Sequence, residues 1–235
     1  MDTARIAELL QPFFAANPAL TPEGLSFRTG SSPEESEVLS GSQLKQISTY
    51  IDILLRWNAR INLTSVRKPE EIVTRHFGES LFAARCLLPH GRSSADANAR
   101  LIDVGSGAGF PGLPIKIFAP ALHLALIESN HKKVAFLREV IRFLTLTDID
   151  VFTGRGEEYN GALADVVTLR AVERFEAALP AAARLVAPGG RLALLIGEAQ
   201  LDRTRELTPE FLWLPPMPVP ASARRVLAVG TRQSR

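Results

Sequence analysis

The sequence predicts an α/β protein in which a parallel sheet is wrapped by helices on both faces and preceded by an N-terminal helical extension. Three observations carry that expectation. The apolar run Leu101-Ile102-Asp103-Val104 leads straight into a glycine-rich turn, Gly105-Ser106-Gly107-Ala108-Gly109-Phe110-Pro111-Gly112. From Arg100 onward, short apolar runs alternate with stretches of helical periodicity. Ahead of them Leu44, Ile47, Ile51, Leu54, Leu55 and Ile61 recur at helical spacing, so one helical face needs a partner to bury against, most simply the sheet domain.

Taken in order, residues 1–20 carry a weak apolar helix pattern (Ile6, Leu9, Leu10, Phe13, Phe14). A polar stretch with Pro, Ser and Gly then runs to about residue 42 and reads as mobile. Ser40 with Gln43 forms a capping box at the start of the helix bearing the apolar stripe. A second helix is expected from Pro69 to Leu88, and Gly91 to Ala99 reads as a small-residue linker. Strands follow near 101–104, 122–127, 148–152, 164–169 and 191–196, with helices at 112–118, 132–145 and 173–186. Pro188-Gly189-Gly190 turns the chain into the fifth of these strands. Two further strands, Phe211 to Leu214 and Arg225 to Val229, flank a proline-rich turn and suggest an antiparallel hairpin at the sheet edge. The chain thus divides into an N-terminal helix and mobile segment (1–41), a helical extension (42–99) and a cofactor domain (100–235).

Composition bounds the function. At 235 residues and 46% hydrophobic the chain supports one α/β domain with an appendage. Cys86 is the single cysteine, which excludes an internal disulfide framework or a zinc-ribbon spacing and suits a reducing cytoplasm. The apolar runs are too short to span a membrane and the start lacks signal-peptide order, so a soluble, cytoplasmic protein is expected. The net charge of +2 diagnoses nothing alone, but its distribution is uneven. Arg56, Arg60, Arg67, Lys68, Arg75 and Arg85 fall just before the glycine turn, either as a phosphate-tracking face or as a solvated one.

The glycine turn is a cradle for a nucleotide-type cofactor, because only backbone without side chains turns so tightly while a ligand approaches it. Gly107-x-Gly109-x-x-Gly112 also fits the dinucleotide fingerprint, so the strand-end acid discriminates. Asp103 places a negative charge that would repel a pyrophosphate and attract the sulfonium and ammonium of S-adenosylmethionine. A second apolar run, Leu122 to Ile127, ends at Glu128, about 20 residues beyond the first glycine, where such folds place an acid on the ribose hydroxyls. A plain helix N-terminal charge is the other reading of Glu128.

Further along, the motifs accumulate as a set. Trp57-Asn58-Ala59-Arg60-Ile61-Asn62-Leu63-Thr64, Arg75-His76 with Glu79-Ser80-Leu81, the Asp103 to Gly112 cradle, Glu128-Ser129-Asn130-x-Lys132-Lys133-x-x-Phe136-Leu137, Arg155-Gly156-Glu157-Glu158 and Arg170-Ala171 occur in that order. Together they resemble the 16S ribosomal RNA guanine-N7 methyltransferase family, also called glucose-inhibited division protein B. The likeness runs from about Leu44 to Gly197.

The resemblance implies a class I (Rossmann-like) methyltransferase sheet, S-adenosylmethionine as cofactor, no metal, and 16S rRNA or the small ribosomal subunit as partner of a monomeric enzyme. It implies that Gly105 and Phe110 line the donor, that Gly156 and Glu157 meet the adenine, and that Arg170 faces the cleft as the catalytic residue and as a donor contact, orienting the base or the donor carboxylate. It makes residues 42–99 the RNA-facing part, with Arg60, Asn62, Arg75 and His76 as substrate contacts. Two departures stand out: Glu79 where the family usually has Asp, and Ile196-Gly197 where a Lys commonly precedes the glycine.

The bland readings stay beside these. His76 is either RNA-facing or a packing histidine, Asn62 and Thr64 either contact substrate or turn the chain, and Trp57 and Phe110 either stack on a base or fill the core. Arg170, directly after an apolar strand, is costly there without a partner. A small-molecule methyltransferase is the rival reading if the basic block and the Asn62 to Ser80 stretch are buried structure. A donor- and RNA-binding protein without transfer activity is the other, kept open by Ile196.

Overall fold

The computed structural model describes residues 1–15, 18–21, 24–27, 39–88, 99–171 and 174–233. Helix α1 (Thr3–Ala15) is followed by a short antiparallel pair, β1 (Pro18–Thr21) and β2 (Gly24–Phe27), then by α2 (Gly41–Asn58). Most of the polar stretch expected to be mobile, and the linker after Leu88, lie outside the described residues. Ser40 and Gln43 form the expected capping box: Ser40 Oγ accepts from the Gln43 N–H at 3.3 Å, and Gln43 Oε1 accepts from the Ser40 N–H at 2.9 Å.

The cofactor domain alternates as expected: β3 (Arg100–Val104), α5 (Gly112–Phe118), β4 (His123–Glu128), α6 (His131–Phe143), β5 (Ile149–Thr153), β6 (Ala164–Arg170), α7 (Phe175–Arg184) and β7 (Val186–Gly197). The sheet order is β5-β4-β3-β6-β7, all parallel, with β10 (Arg225–Arg232) antiparallel to β7 and β8 (Phe211–Trp213) outside it. The hairpin expectation is therefore met with β10 inside and β8 at the edge. Helix α8 (Leu201–Leu207) and the two-residue β9 (Met217–Pro218) were not expected. Chain order reverses between β3 and β6, the crevice where such sheets bind ligands.

Alternation along the strands explains why both faces are covered. Leu101, Leu124 and Leu126 point into one core; Ile102, Ala125 and Ile127 point into the other. The second core is closed by Leu179, Ala182 and Ala183 of α7. The first is continuous with Ile6, Leu10 and Phe13 of α1 and with Ile47, Ile51 and Leu54 of α2, so the apolar stripe of α2 does bury against the cofactor domain. Gln43 adds a polar link, its Nε2 donating to the carbonyls of Ile117 at 2.6 Å and Phe118 at 3.2 Å, where α5 leaves acceptors unpaired.

The helix expected from Pro69 to Leu88 differs in its middle. Helix α3 (Pro69–Ile72) and helix α4 (Glu79–Leu87) are joined by a π-helical segment, Val73–Gly78. The wider turn frees carbonyls for other donors, and π segments gather at functional sites for that reason. Gly78 ends it directly under the Phe13 ring, where a Cβ would overlap three ring carbons. Arg85 also holds α1: its Nη1 donates to the Phe13 carbonyl at 2.9 Å and its guanidinium lies 5.2 Å from the Phe14 ring centroid. Arg85 is thus a buried anchor and leaves the basic face expected from the sequence.

Gly78→Ala should destabilise the fold by about 1–3 kcal/mol through overpacking against Phe13. In a Phe13→Ala background the added methyl has room. Urea denaturation of the four proteins in this cycle should show a coupling between the two sites; additive effects would count against the contact.

Candidate active site

The crevice at the C-terminal ends of β3, β4 and β6 opens into a cleft of about 820 Å³. One wall is the glycine turn. Gly105, Gly107 and Gly109 adopt φ of 69°, 56° and 84°, a left-handed run that side chains would strain. The Gly105 and Ser106 N–H groups donate to the Ile127 carbonyl at 2.9 and 3.0 Å, tying the turn to β4.

Glu128 makes a second tie. Its Oε2 accepts from the Gly107 N–H and its Oε1 from the Asn130 N–H, each at 2.8 Å, so one carboxylate joins the turn to the start of α6. It lines the cleft beside Gly105, Phe110, Gly156 and Glu157, which brings five of the expected donor residues together. Gly156 lies in a short 3-10 turn where a Cβ would meet Val104 Cγ1 at 3.3 Å.

Asp103 is the exception. It does not line the cleft; it lies 1% exposed beneath the turn. Its Oδ1 accepts from Thr168 Oγ1 at 2.8 Å and its Oδ2 from the Gly112 N–H at 3.2 Å. A Cβ on Gly112 would meet Asp103 Oδ2 at 2.9 Å and Leu126 Cδ2 at 2.8 Å, so helix and strand fit only around glycine. The carboxylate expected to face the ligand's charge instead secures the loop from within. Burial pushes its pKa up to about 6, against hydrogen bonds from Thr168 and Gly112 that favour the charged form.

The opposite wall comes from the helical extension. Asn58, buried at the end of α2, pins the following loop: its Oδ1 accepts from the Leu63 and Thr64 N–H groups at 2.9 and 3.0 Å, and its Nδ2 donates to the Thr64 carbonyl at 2.9 Å. Asn62, Thr64, Arg75 and His76 then line the cleft. Arg60, exposed on the turn after α2, stands outside the cleft lining.

At the base sits an ionic cluster. Glu79, 2% exposed, accepts at Oε2 from Arg170 Nη2 at 2.9 Å and from Arg225 Nη1 at 2.8 Å. Arg170 Nη2 also donates to the Arg75 carbonyl, freed by the π turn, at 2.6 Å, and lies 3.1 Å from His76 Nδ1. Nη2 has two protons, which Glu79 and the Arg75 carbonyl take, so Nδ1 is a close neighbour of the guanidinium. Nε2 lies 2.8 Å from Thr64 Oγ1. Burial first, then Arg170, Arg225 and Arg75, push the His76 pKa down to about 3, so the ring is neutral at physiological pH. Phe110, 7% exposed, is packed in an aromatic cluster, stacked on Tyr50 at 5.4 Å and on His76 at 4.8 Å between centroids.

Sequence reasoning missed Arg174 and Arg225, both lining the cleft, and the anchoring roles of Tyr50, Asn58 and Glu79. Tyr50 falls three residues after Ile47 on the apolar stripe, a signal within reach, and its hydroxyl donates to the Ala108 carbonyl. Arg225 carries no local signal. Ile196 is 4% exposed and pairs with Val226 in the second core, so that position presents no charge to the cleft.

The left-handed glycine turn, the acid at the end of β4 and the close-approach glycine at 156 fit S-adenosylmethionine, and with the sheet order they define a class I, Rossmann-like methyltransferase. A ribosomal protein L11 methylase from Lactobacillus delbrueckii subsp. bulgaricus shares the fold, with a TM-score of 0.54 at 14% identity over 67% of this chain and 80% of that one. The family profile for rRNA small subunit methyltransferase G matches residues 43–215. Ribosomal RNA small subunit methyltransferase G of Roseiflexus castenholzii is 40% identical over 203 residues, covering 81% of this chain and 84% of the relative. The enzyme of the same name from Desulfitobacterium hafniense is 40% identical over 173 residues, 72% of this chain and 69% of the relative. The chain belongs to the rRNA small subunit methyltransferase G family.

Asp103→Ala should lower stability by about 1–3 kcal/mol at pH 7, because it strands the Gly112 N–H and the Thr168 hydroxyl. Donor affinity should fall along with it. Asp103→Asn keeps an acceptor without ionising. With the folded pKa raised to about 6, the folded state holds the proton more tightly than the unfolded chain, so this group favours folding at low pH. That advantage is lost as pH rises through about 6. Urea titrations should therefore show wild type losing stability relative to Asp103→Asn between about pH 4 and 6; a constant difference would refute the buried titration.

Proposed function

We propose that the protein transfers a methyl group from S-adenosylmethionine to N7 of an unpaired guanine in 16S ribosomal RNA. One observation carries this reading: the donor cradle opens into a cleft rimmed by Arg75, Lys133, Arg155, Arg174 and Arg225, with Glu128 and Glu157 as the acids of its lining. Such a surface suits phosphates on both sides of a bound base. The small-molecule rival is favoured if the basic block and the Asn62 to Ser80 stretch are buried structure, and within that stretch Ile72, Phe77, Glu79 and Ser80 are indeed buried. Asn62 and Arg75 are exposed, and they line the cleft.

The chemistry asks little of the protein beyond placement. Bound S-adenosylmethionine supplies an activated methyl on a sulfonium. Guanine N7 offers an in-plane lone pair without a proton, so no side chain has to remove one, and catalysis rests on alignment in a cleft that excludes water. His76 is suited to that role: neutral, its two nitrogens already engaged, it is no general base. In this reading Glu128 accepts from the ribose hydroxyls, and Gly156 with Glu157 meets the adenine edge. Arg170 orients the cleft base through Glu79, the Arg75 carbonyl and His76. N7 lies on the major-groove edge that an A-form duplex hides, which is why the target is an unpaired guanine.

Incubation with labelled S-adenosylmethionine and small subunits lacking the modification, followed by mapping of the label, tests the reading; label at any atom other than a guanine N7 overturns it. Arg75→Ala with Arg174→Ala should reduce the log–log salt slope of RNA binding by about one unit or slightly less per contact, with donor affinity unchanged. Single-turnover transfer at saturating substrates should be flat from about pH 7 to 8.5. A decline near pH 6 would belong to Asp103: it should persist in His76→Gln and vanish in Asp103→Asn.

A further inference from the structure

We propose that the imidazole face of His76 is the platform on which the target base stacks, an assignment that rests on the guanine reading above and specifies how the base is held. Phe110, the aromatic expected to line the donor, spends its ring on Tyr50 at 5.4 Å, on Phe77 at 5.2 Å and on His76 at 4.8 Å. His76 is the member of this cluster that is partly exposed where it lines the cleft. Both edges of its ring are taken, Nδ1 by Arg170 at 3.1 Å and Nε2 by Thr64 at 2.8 Å. A ring held at both edges has a fixed plane; one face is stacked on Phe110, and the opposite face is the one assigned to the base. It lies 26° from the plane of Phe110, which belongs to the glycine turn, so the platform adjoins the donor cradle.

The charge state suits the reaction. Methylation at N7 leaves a cationic purine, which a neutral ring stacks on favourably and an imidazolium would repel. Burial and, after it, the arginines around His76 keep the ring neutral, so the platform keeps one character from substrate to product.

The test compares His76→Phe, His76→Gln and His76→Ala in methyl transfer to small subunits, with urea midpoints recorded for each. Stacking predicts that Gln and Ala lose about tenfold to a hundredfold in kcat/KM, mostly through KM, and that Phe stands well above Gln. Gln retains an acceptor for Arg170 without a π face, so Gln outperforming Phe would overturn the proposal in favour of a positioning role. A second measurement avoids variants. In the wild-type protein loaded with S-adenosylhomocysteine, added guanosine 5′-monophosphate should move the His76 ring protons upfield, and ribose 5-phosphate should not; no shift would overturn the proposal. Label absent from the RNA together with a nucleotide-induced shift would refute the rRNA reading while leaving the stacking surface standing.

Discussion

Everything at the cleft base converges on one buried carboxylate. Glu79 accepts from Arg170 at the end of β6 and from Arg225 at the start of β10, while its own backbone begins the helix that follows the π segment. Three elements remote in sequence meet at one oxygen. Burying such a group is expensive, and removing one partner of a buried ion pair typically costs about 3–5 kcal/mol because the other is left uncompensated. One carboxylate facing two guanidinium groups also leaves an excess positive charge, which adds to burial in suppressing protonation of His76.

The donor side is built on the same economy. Asp103 and Glu128 lie at the ends of adjacent parallel strands, and both accept from backbone N–H groups: Asp103 Oδ2 from Gly112, with Oδ1 on the Thr168 hydroxyl, and Glu128 from Gly107 and Asn130. A glycine loop has large conformational entropy, and two carboxylates together with the Ile127 carbonyl remove it before a ligand arrives. The positive φ values then persist as a preformed surface.

The sequence made the sheet legible because parallel strands covered on both faces are almost purely apolar, as at Leu101 to Val104 and Val166 to Leu169. The donor cradle was legible because its glycines are local in sequence. Orientation was not: whether Asp103 pointed to the ligand or under the loop depended on Thr168, 65 residues away, and on where α5 begins. The π segment left no mark in the apolar periodicity of Val73 to Gly78, and the tight packing of Gly78 under the Phe13 ring is a contact with another helix. Arg85 looked solvated by composition and is buried by the same helix. Long-range contacts decide these positions, and single-chain periodicity carries no record of them.

The placement of Arg225 has a consequence for the order in which the protein is made. Synthesis runs from the N-terminus, and domains generally fold as units. Once β7 has left the ribosome, the glycine turn, its two carboxylate straps and the parallel sheet are all in hand. Glu79, however, still lacks its second guanidinium until β10 slides in beside β7. The ionic cluster at the cleft base is therefore completed only by the last long strand of the chain, and a product ending before β10 would hold every residue of the glycine turn while leaving Glu79 with one guanidinium.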